Sequence, residues 1–269
     1  MTDHLARDLA PIPAQAWELI DREARERLTP YLAARRLVDW SGPHGWTYSA
    51  TDLGRIQRVE DTADMAGEEV ARRVVLPVIE FRVPFTVRRD EVAAAARGAL
   101  DLDLDDLVRA ASRAAECENA AILHGWKPAD VVGITDAAAH SAVPLGDDAG
   151  GYPHAVAVAV DRLRDAGVDG PFALAIDPKG YTRIMETTER GGHPLLDHLR
   201  QILGGDIIRA PGISGAVVLT RRGGDFVLDV AQDLAVGYSH HNGSAIHLYL
   251  EEAFTFRVIE PDAGIALTR

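Results

Sequence analysis

Several things are scarce in this chain, and each scarcity removes a class of explanation. A single cysteine, Cys117, stands among 269 residues, so an intrachain disulfide is impossible and a cysteine-built zinc site is excluded. No apolar run approaches the ~18–20 residues that a membrane-crossing helix needs. The N-terminal stretch MTDHLARDLAPIPAQAW lacks the basic region and apolar core of a secretory leader. Cationic residues are outnumbered, 28 Lys and Arg against 41 Asp and Glu. A net charge of −13 argues against a surface that binds nucleic acid. Aromatics make up only 6%. The totals read as a soluble protein of a reducing compartment, large enough for one or two real cores.

What is present has clear local texture. Trp17, Ile20, Ala24, Leu28 and Tyr31 recur at spacings of three and four, one apolar stripe of an amphipathic helix. Thr29-Pro30 should kink or restart it. Residues 46–75 are polar and aperiodic, too long for a structureless loop inside a compact domain. They read as a two-stranded ribbon projecting from the body, and such a ribbon needs something to lie on. Alternation returns at LPVIEFRVPFTV, and DLDLDDLVRAASRAAECENAAILHGW reads as a long helix stopped by Gly125. From about 150 helices alternate with short apolar strands, including PFALAID followed by an Asp177-Pro178 helix start. AVVLT and DFVLDV flank Arg221-Arg222-Gly223-Gly224, a hairpin signal, and Asn242-Gly243 introduces a second hairpin with a long final strand. The class is α+β.

Catalytic signatures are missing: no G-x-S-x-G, no phosphate-binding G-x-x-x-x-G-K-[ST] and no H-E-x-x-H occurs. His240, His241 and His247 cluster around a turn, where solvated side chains are commoner than a metal site. Cys117 lies in an Ala-rich helix and reads as a small buried hydrophobe rather than a nucleophile. Asp101, Asp103, Asp105 and Asp106 look like an acid pair or cation site, but complementing a helix N-terminus explains them more simply. Gly204-Gly205 and Gly223-Gly224 read as turns. Arg35-Arg36, Arg72-Arg73 and Arg88-Arg89 read as solvated faces or subunit contacts. No catalytic residue and no metal site is assigned.

Taken in order, RDLAPIPAQAWELIDREA, RRLVDWSGPHGW, VPFTVRRDEVAAAARGALDLD, GVDGPFALAIDPKGYTRI, GGDIIRAPGISGAVVLTRRGGDFVLDVAQDLAVGY and LYLEEAFTF resemble encapsulin shell proteins. The resemblance covers nearly the whole chain. It implies the tailed-phage major-capsid-protein fold: a peripheral domain (1–45, 76–130 and 216–269), an extended loop (46–75) and an axial domain (131–215). It implies a non-enzymatic subunit of a cytoplasmic icosahedral nanocompartment of about 60 identical copies. Such a shell encloses a cargo such as a dye-decolourising peroxidase or a ferritin-like iron-oxidising protein.

Carried over by position, the resemblance puts a cargo's C-terminal targeting peptide against Leu28, Leu37, Leu234 and Val236, with Arg35, Asp39 and Asp233 as polar anchors. It places Thr187, Thr188, Glu189, Arg190, Gly191, Gly192 and His193 in a loop lining the five-fold pore. No aromatic residue occurs at Arg88–Glu91 to stack a flavin, so no cofactor is expected. Two other readings stand beside it. One is a hydrolase or peptidase, which the missing nucleophile–base pairing disfavours. The other is a viral or prophage capsid protein, which the acidic balance disfavours.

Overall fold

The computed structural model describes residues 4–59, 69–146, 148–189 and 191–269. The tip of the expected arm (60–68) and Arg190 of the expected pore loop lie outside the described residues. Helix α1 (Ala14–Leu28) buries Ala16, Leu19, Ile20, Ala24 and Leu28, one stripe at helical spacing. It does not restart at Pro30. Instead residues 31–38 turn through a single 3-10 turn at Ala34–Arg36. The physical reason is Asn119: its amide oxygen accepts from Ala34 N (2.9 Å) while its NH2 donates to Tyr31 O (2.8 Å). A side chain thereby satisfies backbone groups that a continued helix would have paired.

Strand β1 (Asp39–Ser41) leads to the ribbon, β2 (Ala50–Arg58) and β3 (Ala71–Pro77), which pair antiparallel in a two-stranded sheet of their own. Ile56, Val59, Val70 and Val75 are exposed on it, Ile56 by 68%. Strand β4 (Ile79–Arg88) and helix α2 (Arg89–Ala96) precede the long helix α3 (Asp105–His124). Of the acidic run, Asp105 and Asp106 fall in the first turn of α3. Asp106 accepts from Thr86 N (2.8 Å) and Thr86 Oγ1 (2.6 Å), tying the helix start to β4. Gly125 ends α3 at φ +87°, with the backbone of Val131 and Gly133 so close that no Cβ fits.

Next come α4 (Ile134–Ala137), β5 (Val143–Pro144), α5 (Tyr152–Asp165) and the wholly buried β6 (Phe172–Ile176). In α6 (Pro178–Glu186) Asp177 caps the first turn by accepting from Gly180 N at 2.8 Å. Then follow α7 (Leu195–Leu203), β7 (Ile207–Arg209), β8 (Ala216–Thr220), β9 (Phe226–His241), β10 (Ala245–Val258) and β11 (Gly264–Thr268).

Two larger sheets organise these strands, one ordered β1-β9-β10-β4 and one ordered β5-β11-β8-β6-β7. In the first, β9 and β10 form the long antiparallel hairpin expected at Asn242-Gly243, and α3 packs against it. The other expected hairpin does not form: β8 and β9 belong to different sheets. The segment between them is a crossover held from outside. Arg221 N donates to Pro171 O and Gly224 N to Asp39 Oδ2, and Arg222 grips Asp225 through two bonds of 2.8 and 3.0 Å. Gly223 and Gly224, both at φ +85°, supply the turn but not the pairing. Residues 216–220 and 264–268 pair with each other in the second sheet, the first also with β6 and the second with β5.

Candidate peptide-binding groove

Helix α1, the 232–236 stretch of β9 and β10 enclose a cleft of about 330 Å³. The α1 side is a stripe of Asp21, Ala24, Arg25 and Leu28, at positions i, i+3, i+4 and i+7, so all four share one face. Leu32, Leu234, Ala235, Val236 and Leu250 complete the apolar wall, and Arg7, Arg35 and Asp233 add charge. Five of the seven residues singled out from sequence, Leu28, Arg35, Asp233, Leu234 and Val236, meet here. Leu37 and Asp39 do not. They line a separate depression of about 70 Å³ with Gly223 and Asp225, where Asp39 holds the crossover by accepting from Gly224 N at 2.6 Å.

Arg35 is the electrostatic centre of the cleft floor. Its Nε donates to both oxygens of Glu118 (2.8 and 3.0 Å), one Nη to Asp233 Oδ1 (2.9 Å) and the other to Glu252 Oε1 (2.8 Å). The guanidinium also lies 4.6 Å from the centre of the Trp40 ring, a favourable cation–π contact. Glu118 and Glu252 have no solvent-accessible side-chain surface. Burial works against the charge on Arg35, but attraction to Glu118, Glu252 and Asp233 outweighs it and the pKa is raised. Glu252 is pushed well above the usual carboxylate range, by burial first and then by the neighbouring charge of Glu118, with Arg35 opposing. One guanidinium does not neutralise three carboxylates, and this crowding favours the protonated form of Glu252.

Arg7, Asp21 and Leu250 enter the site without having been flagged by the sequence. Arg7 donates two bonds to Asp21 (2.7 and 3.1 Å) and stacks 4.0 Å from the Trp17 ring centre. Glu118 had a readable signal: it follows Ala111 and Ala115 and precedes Ile122 at spacings of four, three and four, on the buried stripe of α3.

The loop after α6 is compact. Thr188 bridges Pro194, Glu189 N donates to His193 O (2.8 Å) and Gly192 N to Glu189 O (2.9 Å). Gly191 and Gly192 take φ of +106° and +79°. Thr187 Oγ1 donates back to Arg183 O (2.7 Å). The Glu189 carboxylate folds onto His198 of α7, with both oxygens 2.9 Å from Nδ1. It is therefore engaged inside the subunit.

Other candidate chemistry does not come together. His240 and His247 stack across β9 and β10 with centroids 4.2 Å apart, and His241 bonds Tyr238. Among the described residues no group of three or more His, Cys, Asp or Glu is placed to hold a metal ion. Ser41, His44 and Asp229 meet, but Ser41 Oγ and Asp229 Oδ1 approach the same ring nitrogen, Nε2, at 3.0 and 3.9 Å. A relay needs opposite nitrogens. Burial raises the Cys117 pKa, the reverse of what an activated thiol requires. No described helix is long and apolar enough to cross a membrane.

The model of the family described as "Encapsulating protein for peroxidase" matches residues 1–255. The type 1 encapsulin shell protein of Rhodospirillum rubrum is 45% identical, the alignment covering 98% of this chain and 95% of the relative. The Brevibacterium linens protein of the same name is 39% identical, over 99% of both chains. Among solved structures, the virus-like particle from Pyrococcus furiosus aligns with a TM-score of 0.68 and 17% identity, over 93% of this chain and 98% of that one. The capsid of Myoviridae Phage XM1 aligns at 0.57 and 13%, over 88% and 91%. These two likenesses establish the capsid fold. With the family match spanning most of the sequence and relatives this similar over their full length, the chain belongs to the type 1 encapsulin shell protein family.

Proposed function

We propose that this chain is the shell subunit of a cytoplasmic nanocompartment, that about 60 copies close into an icosahedral cage, and that the cleft beside α1 holds the C-terminal peptide of an enclosed cargo enzyme. The observation carrying the assembly reading is the ribbon β2–β3. Its Ile56, Val59, Val70 and Val75 are open to solvent in the single subunit, although an isolated two-stranded ribbon is only marginally stable in water. A neighbouring copy lying against that surface supplies the missing burial. The family's printed description supports a peroxidase as cargo.

The cleft supports the peptide reading through its chemistry: an aliphatic wall for side chains beside charged groups, with those at its floor already tied down. Arg35 then acts as a fixed support under the peptide rather than as its main anchor. Many copies facing one enclosed space raise the effective concentration of sites, so a modest single-site affinity is enough. The loop 187–193 is assigned to the five-fold pore, with Glu189, Arg190 and His193 setting its charge. Negative-stain microscopy with sedimentation velocity tests the whole reading. Uniform hollow particles are expected, and a monomer or small oligomer across a broad range of salt and pH refutes it.

A further inference from the structure

One cation of the cleft lining has no partner among the described residues, and the reason is local. Arg25 lies on the cleft-facing stripe of α1. Its neighbour Arg27, on a different face, donates to Glu23 at i−4 (2.7 Å). The corresponding i−4 partner of Arg25 is Asp21, and Asp21 is taken from outside the helix by Arg7, with one bond to each carboxylate oxygen. Arg35 is likewise consumed by Glu118, Asp233 and Glu252. Among the described residues the Arg25 side chain makes no hydrogen bond or ion pair, while every other charged residue lining the cleft does. Among the described residues Arg25 is therefore the charged group of the lining left open to an incoming partner.

We infer that Arg25 is the receptor for a carboxylate of the bound peptide, seated beside the apolar wall formed by Leu28, Leu32, Leu234 and Val236. This rests on the reading of the cleft as a peptide groove. An exposed guanidinium with no competing partner is available for a two-pronged bond to a carboxylate, the geometry it forms best. The carboxylate is either the peptide's C-terminus or an acidic side chain. The chemistry is the same, and the tails below separate the two.

The probe is a fluorescent protein ending in a tail of alternating leucine and glycine, co-expressed with the full shell protein and quantified per shell subunit after purification. Three tails are compared: one ending in its free carboxylate, one capped by a long Gly-Ser extension, and the extended tail with one internal glutamate. The shell variants are Arg25→Gln, Arg25→Lys and Leu234→Asp. On wild-type shells the free-carboxylate or the glutamate tail should exceed the extended, uncharged tail by about tenfold, the scale of one charged hydrogen bond. Arg25→Gln should remove that advantage and Arg25→Lys should keep part of it. If Leu234→Asp abolishes retention while Arg25→Gln leaves the three tails ranked as on wild type, the carboxylate assignment is wrong and the groove stands. If no tail is retained on wild type, or Leu234→Asp has no effect, the groove reading fails and the assignment with it.

Discussion

Replacing Arg35 by alanine removes the one cation shared by three carboxylates, two of them without any solvent-accessible side-chain surface. Breaking a buried ion pair from one side costs about 3–5 kcal/mol, because the charge left behind has neither water nor a partner. In a chain of this size 1 kcal/mol moves the melting temperature by ~2–4 °C, so the drop should be roughly 6–20 °C. Thermal melting at neutral pH, supported by urea midpoints, measures it. Arg35→Met combined with Glu118→Gln and Glu252→Gln should restore most of the loss, since neutral partners need no counter-charge. A fall of under about 3 °C for Arg35→Ala, less than ~1 kcal/mol, refutes the reasoning: the carboxylates would then be finding compensation elsewhere.

The same cluster gives a pH prediction. Glu252 is raised in the folded chain, so between the ordinary carboxylate range and its folded pKa the native state holds a proton that the unfolded chain releases. Stability therefore falls as pH rises through that window, and Glu252→Gln should flatten this slope in melts taken across pH. On the ribbon, Ile56→Asp should leave the subunit folded but weaken assembly, read as a shift from large particles to small species in sedimentation; intact particles would count against the ribbon as an assembly element. Gly237→Ala places a Cβ into the Tyr249 ring and should lower the melting temperature by several degrees, the scale of a ~1–3 kcal/mol overpacking cost. Because burial raises the Cys117 pKa, its thiol should react with an aromatic disulfide reagent at neutral pH far more slowly than in urea; equal rates would contradict its half-buried placement.

The elements legible in the sequence were those specified by nearby residues. The α1 stripe, the α3 stop at Gly125, the Asp177-Pro178 start of α6 and the Asn242-Gly243 hairpin all follow from side chains within a few positions. Arg221–Gly224 shows where that logic ends. Two glycines at positive φ specify a turn, but pairing partners are set by Asp39 and Pro171, distant in sequence. The end of α1 is similar: Pro30 is a good helix start locally, and Asn119 on α3 overrides it. In the cleft, Leu28, Leu234 and Val236 were legible by position in the family pattern, whereas Leu37 and Asp39 line the neighbouring depression, where Asp39 holds the crossover. Arg7 carries no local signal, because its role depends on the N-terminal segment lying back across α1.

The return of the chain to the second sheet after β10 has a consequence for how each copy is made. Strand β11 lies between β5 and β8, so the second sheet has a gap until residues 264–268 arrive. During synthesis β6, β7 and β8 emerge early, and the long β9–β10 hairpin must then be made before the missing strand leaves the ribosome. Until then β8 has an open edge, the kind of unpaired backbone that recruits the wrong neighbour. Docking of β11 also brings Arg269 to Asp177, at 2.9 Å, beside the start of α6. Completion of the second sheet thus waits for the β9–β10 hairpin, and a nascent chain lacking 264–268 is unfinished in the sheet where β11 pairs with β5.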